Sequence, residues 1–279
     1  RSGGDSLMGR YFGYHMHPLT LGELARPAVP DESLVRPPVE LEEDIVDRFM
    51  TFGGFPEPYE RSDRQFYNRW RRMRSQLLFQ EDLRELTRIR ELGQVEILAE
   101  LVARRVGANV NYTSFARDLD ASVNTVKRWL ETLERLYYCF SVRPWHRNVT
   151  RALRKQPKYY LWDWSMVEDR GARAENMVAS ALLKAVNAWT DLGYGDFDLR
   201  FIRDKQQNEV DFAVIRDDEP WFLVEVKASD SSSISSSLHR FQDQTGAKHA
   251  FQVALDASFV ERDCFSVTEP KIVPAHTFL

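Results

Sequence analysis

Apolar and polar positions alternate through the last third of the chain in a pattern that predicts two paired β-strands. Two apolar runs flank a short turn-forming stretch, residues 216–220. This arrangement is typical of a β-hairpin with a loop of about five residues. If the loop is symmetric about its central residue, Asp211 faces Glu225 across the two strands. Lys227 shares the face of Glu225, because side chains repeat every two residues along a strand.

The charged residues of the predicted hairpin are concentrated at one end of it. Two carboxylates that oppose each other across a strand pair repel, and a cation between them removes the conflict. The other positions are apolar on both faces, and one face carries Val210, Phe212, Val214, Phe222, Val224 and Val226. Strands of this kind are typical of the buried interior of a sheet. We therefore favour a functional site formed by Asp211, Glu225 and Lys227. The alternative is a half-exposed hairpin with an Asp211–Lys227 ion pair.

A helical pattern before the hairpin adds a fourth candidate. Residues 172–189 carry an inward apolar stripe that includes Val178 and Leu182, and Glu175 lies three and seven residues before these two. Glu175 therefore falls on the same inner face. There it can complete a metal site with the hairpin acids, or it can simply stabilise the positive end of the helix dipole. Predicted strands at 198–203 and 250–255 and a helix at 238–245 give the order helix, three antiparallel strands, helix, strand.

Residues 94–145 have the periodicity of a winged helix-turn-helix. Three helical segments are followed by strands predicted at 137–142 and 158–162, and Ser122 can cap the third helix. In DNA-binding domains of this type the third helix contacts base edges, and the loop between the strands contacts phosphates. The candidate nucleic-acid contacts are Ser122, Asn124, Thr125, Lys127, Arg128, Arg147 and Arg151. The alternative is a module that serves only packing or dimerisation.

The overall composition limits the classes of function. The chain has 279 residues, enough for two or more domains, and its net charge of −4 provides no general attraction to nucleic acid, so any attraction must be local. Cys139 and Cys264 are the two cysteines, lack zinc-ligand spacing and indicate a reducing compartment. The sequence contains no apolar run of membrane-spanning length and opens with no signal peptide. We expect a cytoplasmic protein without a membrane partner.

The candidate acids suit a hard divalent cation. Asp211, Glu225 and Glu175 offer oxygen ligands of the kind that Mg²⁺ and Mn²⁺ prefer. A bound divalent ion polarises a phosphodiester and lowers the pKa of the attacking water, and Lys227 can stabilise the charge that develops. The sequence therefore predicts metal-dependent hydrolysis of nucleic acid as an activity to test. It contains no Gly-x-x-x-x-Gly-Lys-Ser/Thr loop, so we expect no ATP binding by this chain itself.

Five motifs occur in an order that resembles a known family. They are Gly53-Gly54-Phe55-Pro56-Glu57, Leu130-Glu131-Thr132-Leu133-Glu134, Pro157-Lys158-Tyr159-Tyr160-Leu161-Trp162-Asp163, Glu175-Asn176 and Glu225-Val226-Lys227. Together they resemble the domain of unknown function that follows the ATPase core in a large group of prokaryotic AAA-type ATPases. The stretch from Gly9 to Leu24 is similar to the end of such an ATPase module. We therefore expect the chain to be the C-terminal part of a longer protein whose ATP site lies upstream.

The resemblance also implies a fold and a site for the C-terminal part of the chain. That part of the family is similar to the PD-(D/E)XK, or restriction-endonuclease-like, fold. By this resemblance Asp211 and Glu225 match the metal-binding acids, Lys227 matches the catalytic lysine, and Glu175 matches the helix acid. Unrelated functions share folds, so membership of the fold does not by itself establish nuclease activity.

These patterns predict an α+β protein with three regions. Residues 1–48 form the end of an AAA ATPase module plus a linker, residues 49–165 a helical and winged helix-turn-helix domain, and residues 166–279 an α/β restriction-endonuclease-like domain. The expected function is binding of nucleic acid, DNA in preference to RNA, with cleavage that depends on Mg²⁺ or Mn²⁺. The alternatives are a non-enzymatic regulatory module coupled to an upstream ATPase and a DNA-binding regulator. Expected partners are nucleic acid, the upstream ATPase domain and a second copy of the chain.

Overall fold

The computed structural model describes residues 12–26, 33–79, 92–146, 156–229 and 233–279. Within these ranges the chain forms ten α-helices and one seven-stranded mixed β-sheet. The class of the fold is therefore mixed α and β. None of the helices in the described ranges is long and apolar enough to cross a membrane.

The β-sheet extends across most of the chain. Its strands are β1 (Cys139–Pro144), β2 (Lys158–Leu161), β3 (Phe197–Arg203), β4 (Glu209–Arg216), β5 (Glu219–Lys227), β6 (His249–Ala254) and β7 (Lys271–Pro274). Their spatial order is β2-β1-β3-β4-β5-β6-β7. The pairs β1–β2, β3–β4 and β4–β5 are antiparallel, whereas β1–β3, β5–β6 and β6–β7 are parallel.

Several of the helices begin at a residue whose side chain caps them. The helices are α1 (Leu21–Ala25), α2 (Glu43–Phe52), α3 (Pro56–Arg61), α4 (Arg64–Leu77), α5 (Leu92–Arg104), α6 (Tyr112–Asp118), α7 (Val123–Arg135), α8 (Arg170–Asp191), α9 (Ser236–Thr245) and α10 (Ala275–Phe278). Ser122 Oγ accepts a hydrogen bond from the Thr125 amide at 3.0 Å, so its predicted capping role is confirmed. Asp169 caps α8 in the same way through the Ala172 amide at 2.8 Å.

The strands on the two sides of residue 165 belong to the same sheet. β1 and β3 pair in parallel through Arg143–Arg200 and Pro144–Phe201, and the Trp145 amide donates to the Phe201 carbonyl at 2.7 Å. One cluster of buried apolar side chains runs from Leu21 to Ala275. The helices before β1 and the strands after α8 therefore pack around a shared core.

The hairpin turn differs from the predicted five-residue loop. β4 and β5 are joined by two residues, Asp217 and Asp218, with φ of 49° and 69°. Positive φ at both central residues matches the right-handed twist of the strands. Pro220 lies inside β5, and a register shift between Val214 and Ile215 accommodates it. Beyond that shift Val214 pairs with Phe222, and the ladder continues in the register that places Asp211 against Glu225.

A second irregularity lies beside the charged end of the hairpin. Arg200 pairs with Ala213, but Ile202 pairs with Val210, so β4 has one extra residue where Phe201 opposes Asp211 and Phe212. Val210 therefore packs with Ala213 and the α9 side of the sheet. The prediction that it shares a face with Phe212 and Val214 is wrong. Bulges of this kind redirect side chains next to functional sites.

The order of the C-terminal elements follows the predicted pattern. α8 is followed by the antiparallel strands β3, β4 and β5, then by α9 and β6. α8 covers the face of the sheet that carries Phe212 and Val224. α9 covers the opposite face through Leu238 and Phe241. The hairpin is thus buried on both sides. At its charged end Glu209 and Asp211 approach Lys158, the partner of Glu175 on α8, whereas Glu225 and Lys227 alternate along β5 with Leu223 of the α9 face.

Candidate functional site

Three of the four predicted acidic and basic site residues lie on the hairpin, and the fourth lies on α8. Asp211 is on β4, Glu225 and Lys227 are on β5, and Glu175 is on α8. The side chain of Asp211 is 17% exposed, whereas Lys227 is 41% exposed. The charged end of the hairpin is therefore a partly covered cluster with one ammonium at its rim.

The carboxylate of Asp211 extends the pairing of the two strands. The last regular pair of the ladder is Phe212–Val224, and beyond it Asp211 Oδ2 accepts a hydrogen bond from the Val226 amide at 2.8 Å. Burial, reinforced by the charge of Glu175, raises the pKa of Asp211 from 3.8 to about 7. Asp211 is thus fixed by one oxygen, while Oδ1 faces the other charged groups.

A lysine that the sequence patterns did not single out lies among the acids. Lys158 Nζ is 3.3 Å from Glu175 Oε1, 2.5 Å from Glu209 Oε1 and 3.9 Å from Asp211 Oδ1. Its side chain is only 2% exposed. Burial alone lowers the pKa of Lys158, but the three carboxylates outweigh burial and raise it above its usual value. The ammonium is therefore charged and neutralises part of the cluster.

Glu175 is held by contacts other than those predicted. Its Oε1 accepts a 2.6 Å hydrogen bond from the Tyr160 hydroxyl as well as the contact from Lys158. Because α8 begins at Arg170, Glu175 lies in the second turn, beyond the strongest part of the helix dipole. Gly107 approaches it so closely that a Cβ there would lie 2.8 Å from Oε1, and Gly107 has φ of +74°.

Glu225 is the acid with an unsatisfied oxygen. Its Oε1 accepts from Lys227 Nζ at 2.8 Å, while its buried Oε2 has no hydrogen-bond partner among the described residues. The residue is 8% exposed, and burial together with the charge of Asp211 raises its pKa. Lys227 pairs with Glu225 on its own strand, which differs from the Asp211–Lys227 ion pair of the alternative interpretation. The ammonium nearest Asp211 comes from Lys158 instead.

Glu209 is the second site residue that the sequence patterns missed. It contacts Lys158, and its Oε2 lies 3.2 Å from Arg203 and 3.4 Å from Asn109. Its position two residues before Asp211 was a usable signal, because alternate residues share a face. Lys158 and Tyr160 gave no such signal, since they lie on a distant strand that only the folded sheet brings close.

The acids differ in how well they fit the divalent cation that the sequence predicts. No group of three or more His, Cys, Asp or Glu side chains in the described ranges is arranged to hold a metal ion. Glu175 does not fit, because Tyr160 and Lys158 already occupy its Oε1. Asp211 and Glu225 fit, since both are oxygen donors and Glu225 Oε2 is free of hydrogen bonds. Two carboxylates suffice for Mg²⁺, which is commonly held by one or two together with substrate phosphates.

The predicted nucleic-acid contacts of α7 lie on the surface. Ser122, Asn124, Lys127 and Arg128 are exposed, and Thr125 is half-buried. The opposite face of the helix is buried through Val126, Trp129, Leu130 and Leu133. Lys127 Nζ lies 5.1 Å from the centre of the Tyr112 ring. Arg147 and Arg151 lie outside the described residues.

Two family models match the chain, and both describe domains of unknown function. The model of the domain DUF8612 matches residues 43–170, and that of the domain DUF4143 matches residues 170–269. The second of these domains is commonly found with AAA ATPases. The chain is therefore similar to an AAA-associated domain in its C-terminal part, and the two matches meet at Arg170, the first residue of α8.

Curated relatives come from two mycobacteria. Over 209 residues, which cover 69% of this chain, the sequence is 24% identical to the uncharacterized protein Rv2008c of Mycobacterium tuberculosis and to the uncharacterized protein Mb2031c of Mycobacterium bovis. The chain spans less than half of their length, 45% of each. No solved structure matches the chain.

Proposed function

We propose that this chain is the nucleic-acid-binding part of an AAA-type ATP-binding protein, with a nuclease-like site formed by Asp211, Glu225 and Lys227. In this proposal the site hydrolyses a phosphodiester with the help of Mg²⁺ or Mn²⁺. The observation that carries it is the buried Oε2 of Glu225, which has no hydrogen-bond partner among the described residues; the charge of Asp211 adds to burial in raising the pKa of this carboxyl group. An unsatisfied buried carboxylate oxygen is costly unless a cation or a proton occupies it.

The order of elements supports a restriction-endonuclease-like assignment for the C-terminal part. In such folds a helix precedes three antiparallel strands, the acids lie on the central hairpin, and a helix and a parallel strand follow. α8, β3–β5, α9 and β6 follow this order, with β5 and β6 parallel. The hairpin brings Asp211 and the Glu225–Lys227 pair together at one end, as the proposal requires.

The segment before it supports a winged-helix assignment. α5, α6 and α7 are followed by the antiparallel pair β1–β2. Asn109, between α5 and α6, forms an isolated bridge with Lys158 of β2, so it takes the place of the short first strand in a three-stranded wing sheet. The exposed polar start of α7 would then contact DNA.

The residues of the site divide the work of hydrolysis as follows. Asp211 and Glu225 would hold the divalent cation, which when bound supplies a polarised phosphate and an acidic water. The Val226 amide donates to Asp211 Oδ2 and so fixes the orientation of this carboxylate. Lys227, at the rim of the cluster, orients Glu225 and presents its ammonium to the phosphate, where it stabilises the developing negative charge.

Cleavage assays with Mn²⁺ on single-stranded and double-stranded DNA and on RNA test the proposal. We expect Glu225→Gln and Lys227→Ala to lower the cleavage rate at least 100-fold, a loss typical of removing one transition-state contact. Glu219→Gln is the matched control, because it neutralises an exposed acid at the other end of the same strand. Absence of both cleavage and calorimetric Mn²⁺ binding in the wild-type chain would overturn the nuclease proposal.

A non-enzymatic DNA-binding module is the second candidate. It is favoured by Lys158, which already neutralises part of the carboxylate cluster without a metal. Under this candidate the chain binds DNA without cleaving it, and Lys127→Ala with Arg128→Ala reduces the slope of log affinity against log salt by roughly 2, since each phosphate contact contributes about 0.9. Arg69→Ala with Arg72→Ala on the exposed face of α4 is the control and should leave the slope unchanged.

A further inference from the structure

We infer that Lys158 is a built-in cation that occupies the position between Glu175, Glu209 and Asp211 and so confines any metal to the Asp211–Glu225 side of the cluster. The inference rests on the proposed function in one respect: the proposed function places the metal beside Asp211 and Glu225. It assigns a role to a residue from β2, a strand that precedes the nuclease-like part of the chain. Lys158 is a positioning residue in this role and does not contact substrate.

The distances support this role for the ammonium. Lys158 Nζ lies within 4 Å of carboxylate oxygens from three separate acids, Glu175, Glu209 and Asp211. These acids come from α8 and β4, which approach one another only in the folded chain. Three carboxylates held this close repel strongly in a poorly solvated site. The three carboxylates can therefore lie this close only with a cation between them, and the ammonium of Lys158 is that cation.

Burial distinguishes this lysine from a surface ion pair. Lys158 packs against the ring of Phe201, whose centre is 5.4 Å from Nζ, and its side chain is almost fully covered. Moving a buried ammonium away from its carboxylates leaves uncompensated charges in the interior, which is strongly unfavourable. The ammonium therefore stays in place while the rim of the site exchanges ligands. A divalent cation can enter beside Glu225 but cannot also enter beside Glu175.

Lys158 and the acids that it contacts lie in different segments of the chain. The residue lies in the segment 43–170, whereas the acids that it contacts all lie in the segment 170–269. β2 is fixed to α8 by Asn176, whose side chain accepts from the Leu161 amide at 2.8 Å and donates to the Leu161 carbonyl at 2.7 Å. The acidic cluster of one segment is thus completed by a cation from the other.

Mn²⁺ titration of Lys158→Met by calorimetry and by thermal unfolding tests the inference without any activity measurement. Removing the ammonium opens the shared position, so we expect Mn²⁺ affinity to rise at least 10-fold over the wild type. The melting temperature of the variant should fall in metal-free buffer and should recover with Mn²⁺ by more than that of the wild type. Lys184→Met, which removes a lysine paired with Glu23 elsewhere, should change neither response to Mn²⁺.

Two further variants keep the test decisive. If Lys158→Met does not fold without metal, Lys158→Met with Glu209→Gln removes one charge of each sign and leaves Glu175 and Asp211 of the three acids around the opened position. It should still bind Mn²⁺ more tightly than the wild type. Lys158→Met with both Glu209→Gln and Glu175→Gln should lose that gain, because Asp211 alone then remains of the three acids. A folded Lys158 variant that binds Mn²⁺ no more tightly than the wild type overturns the inference.

The outcomes separate this inference from the proposed function. If the wild type binds no Mn²⁺ and cleaves nothing, but Lys158→Met binds Mn²⁺, the inference holds and the nuclease proposal fails. If the wild type binds Mn²⁺ and cleaves DNA, but Lys158→Met shows unchanged affinity, the nuclease proposal holds and the inference fails.

Discussion

The carboxylate of Asp211 is mostly buried beside a second carboxylate, so its proton is difficult to remove. Two contacts stabilise the charged carboxylate only in part: the hydrogen bond from the Val226 amide, and the Lys158 ammonium at 3.9 Å from Oδ1. Because the pKa of Asp211 is raised, the folded chain keeps this proton at pH values where the unfolded chain has released it. The folding equilibrium therefore depends on the charge state of Asp211.

We predict that the metal-free chain loses stability as pH rises from about 4 to about 7, the window between the ordinary and the raised pKa of Asp211. In that window the native state binds more protons than the unfolded state, so the free energy of unfolding decreases with pH. Asp211→Asn carries no charge at any pH and should be more stable than the wild type at pH 8, by roughly 2–4 kcal/mol. Urea denaturation at pH 5 and pH 8 measures the difference.

Glu225 qualifies the size of this effect. Its pKa is raised as well, so Asp211→Asn should reduce the pH slope without abolishing it. Asp218→Asn, at the far end of the hairpin in an exposed turn, is the control and should keep the wild-type slope. If the free energy of unfolding of Asp211→Asn has the same pH slope as that of the wild type, the pKa of Asp211 is not raised in the folded chain.

At the scale of residues, the sequence patterns predicted the site residues of the hairpin and of α8 but not those of β2. Strand parity related Asp211 to Glu225 and Lys227, because these positions are linked by a short turn. Helix periodicity placed Glu175 on the inner face of α8. Neither rule relates Lys158 or Tyr160 to these acids, since β2 reaches the site only through the packing of α8 against the sheet. The assigned roles in hydrolysis stay predictions.

At the scale of elements, β2 is an edge strand whose outer backbone groups need partners. Asn176 of α8 provides them for Leu161 through one accepted and one donated hydrogen bond. Asn176 itself is fully buried. The side-chain amide of Asn176 thus makes the two hydrogen bonds that a neighbouring strand would otherwise make with Leu161. It thereby fixes β2, the strand that carries Lys158 and Tyr160.

Asn176→Ala should destabilise the chain by about 2–4 kcal/mol, since two buried backbone groups lose their partners at about 1–3 kcal/mol each. The comparison is Asn187→Ala, a half-buried amide on the same helix that contacts His17, which should cost less than about 1 kcal/mol. Chemical denaturation of both variants provides the measurement. Equal losses in the two would mean that the edge of β2 does not depend on Asn176.

The elements themselves were largely predictable, and their irregularities were not. Hydrophobic periodicity located α7, α8 and the hairpin because each has one clear apolar pattern. The turn was misjudged because Asp217 and Asp218 lack the glycine that usually marks a two-residue turn, and because Pro220 suggested a loop. The bulge opposite Phe201 depends on the pairing of β3 with β4, which a pattern along one strand does not contain.

At the scale of the whole molecule, one sheet connects the two segments that the family models match. β1 covers the edge of β3, and Lys158 of β2 compensates acids of α8 and β4. The sequence could not show this connection, because the parallel pairing of Arg143 and Pro144 with β3 spans a long stretch of chain. The assembled sheet shows that β3, in the second segment, has β1 of the first segment as its neighbour.

We predict that residues 170–279 alone do not form a stable fold. Their β3 edge would be uncovered and prone to pairing with other chains, and three acids would lack the ammonium of Lys158. We expect weak protection in hydrogen exchange and aggregation at neutral pH, whereas the whole chain should unfold in one cooperative transition. A monomeric 170–279 fragment with native-like protection of β3 and β4 would contradict this view of the sheet.

Gly107 is a second residue of the first segment that contacts an acid of the second segment, and this contact predicts how the two positions evolve. A side chain at this position would meet the carboxylate of Glu175, and the backbone there is left-handed. Position 107 is therefore constrained by its own backbone and also by the carboxylate of residue 175, although the two positions lie in segments that separate family models match. Among relatives, glycine at 107, lysine at 158 and glutamate at 175 should be gained and lost as a set. Co-variation of this kind would show that the two segments evolve as one unit.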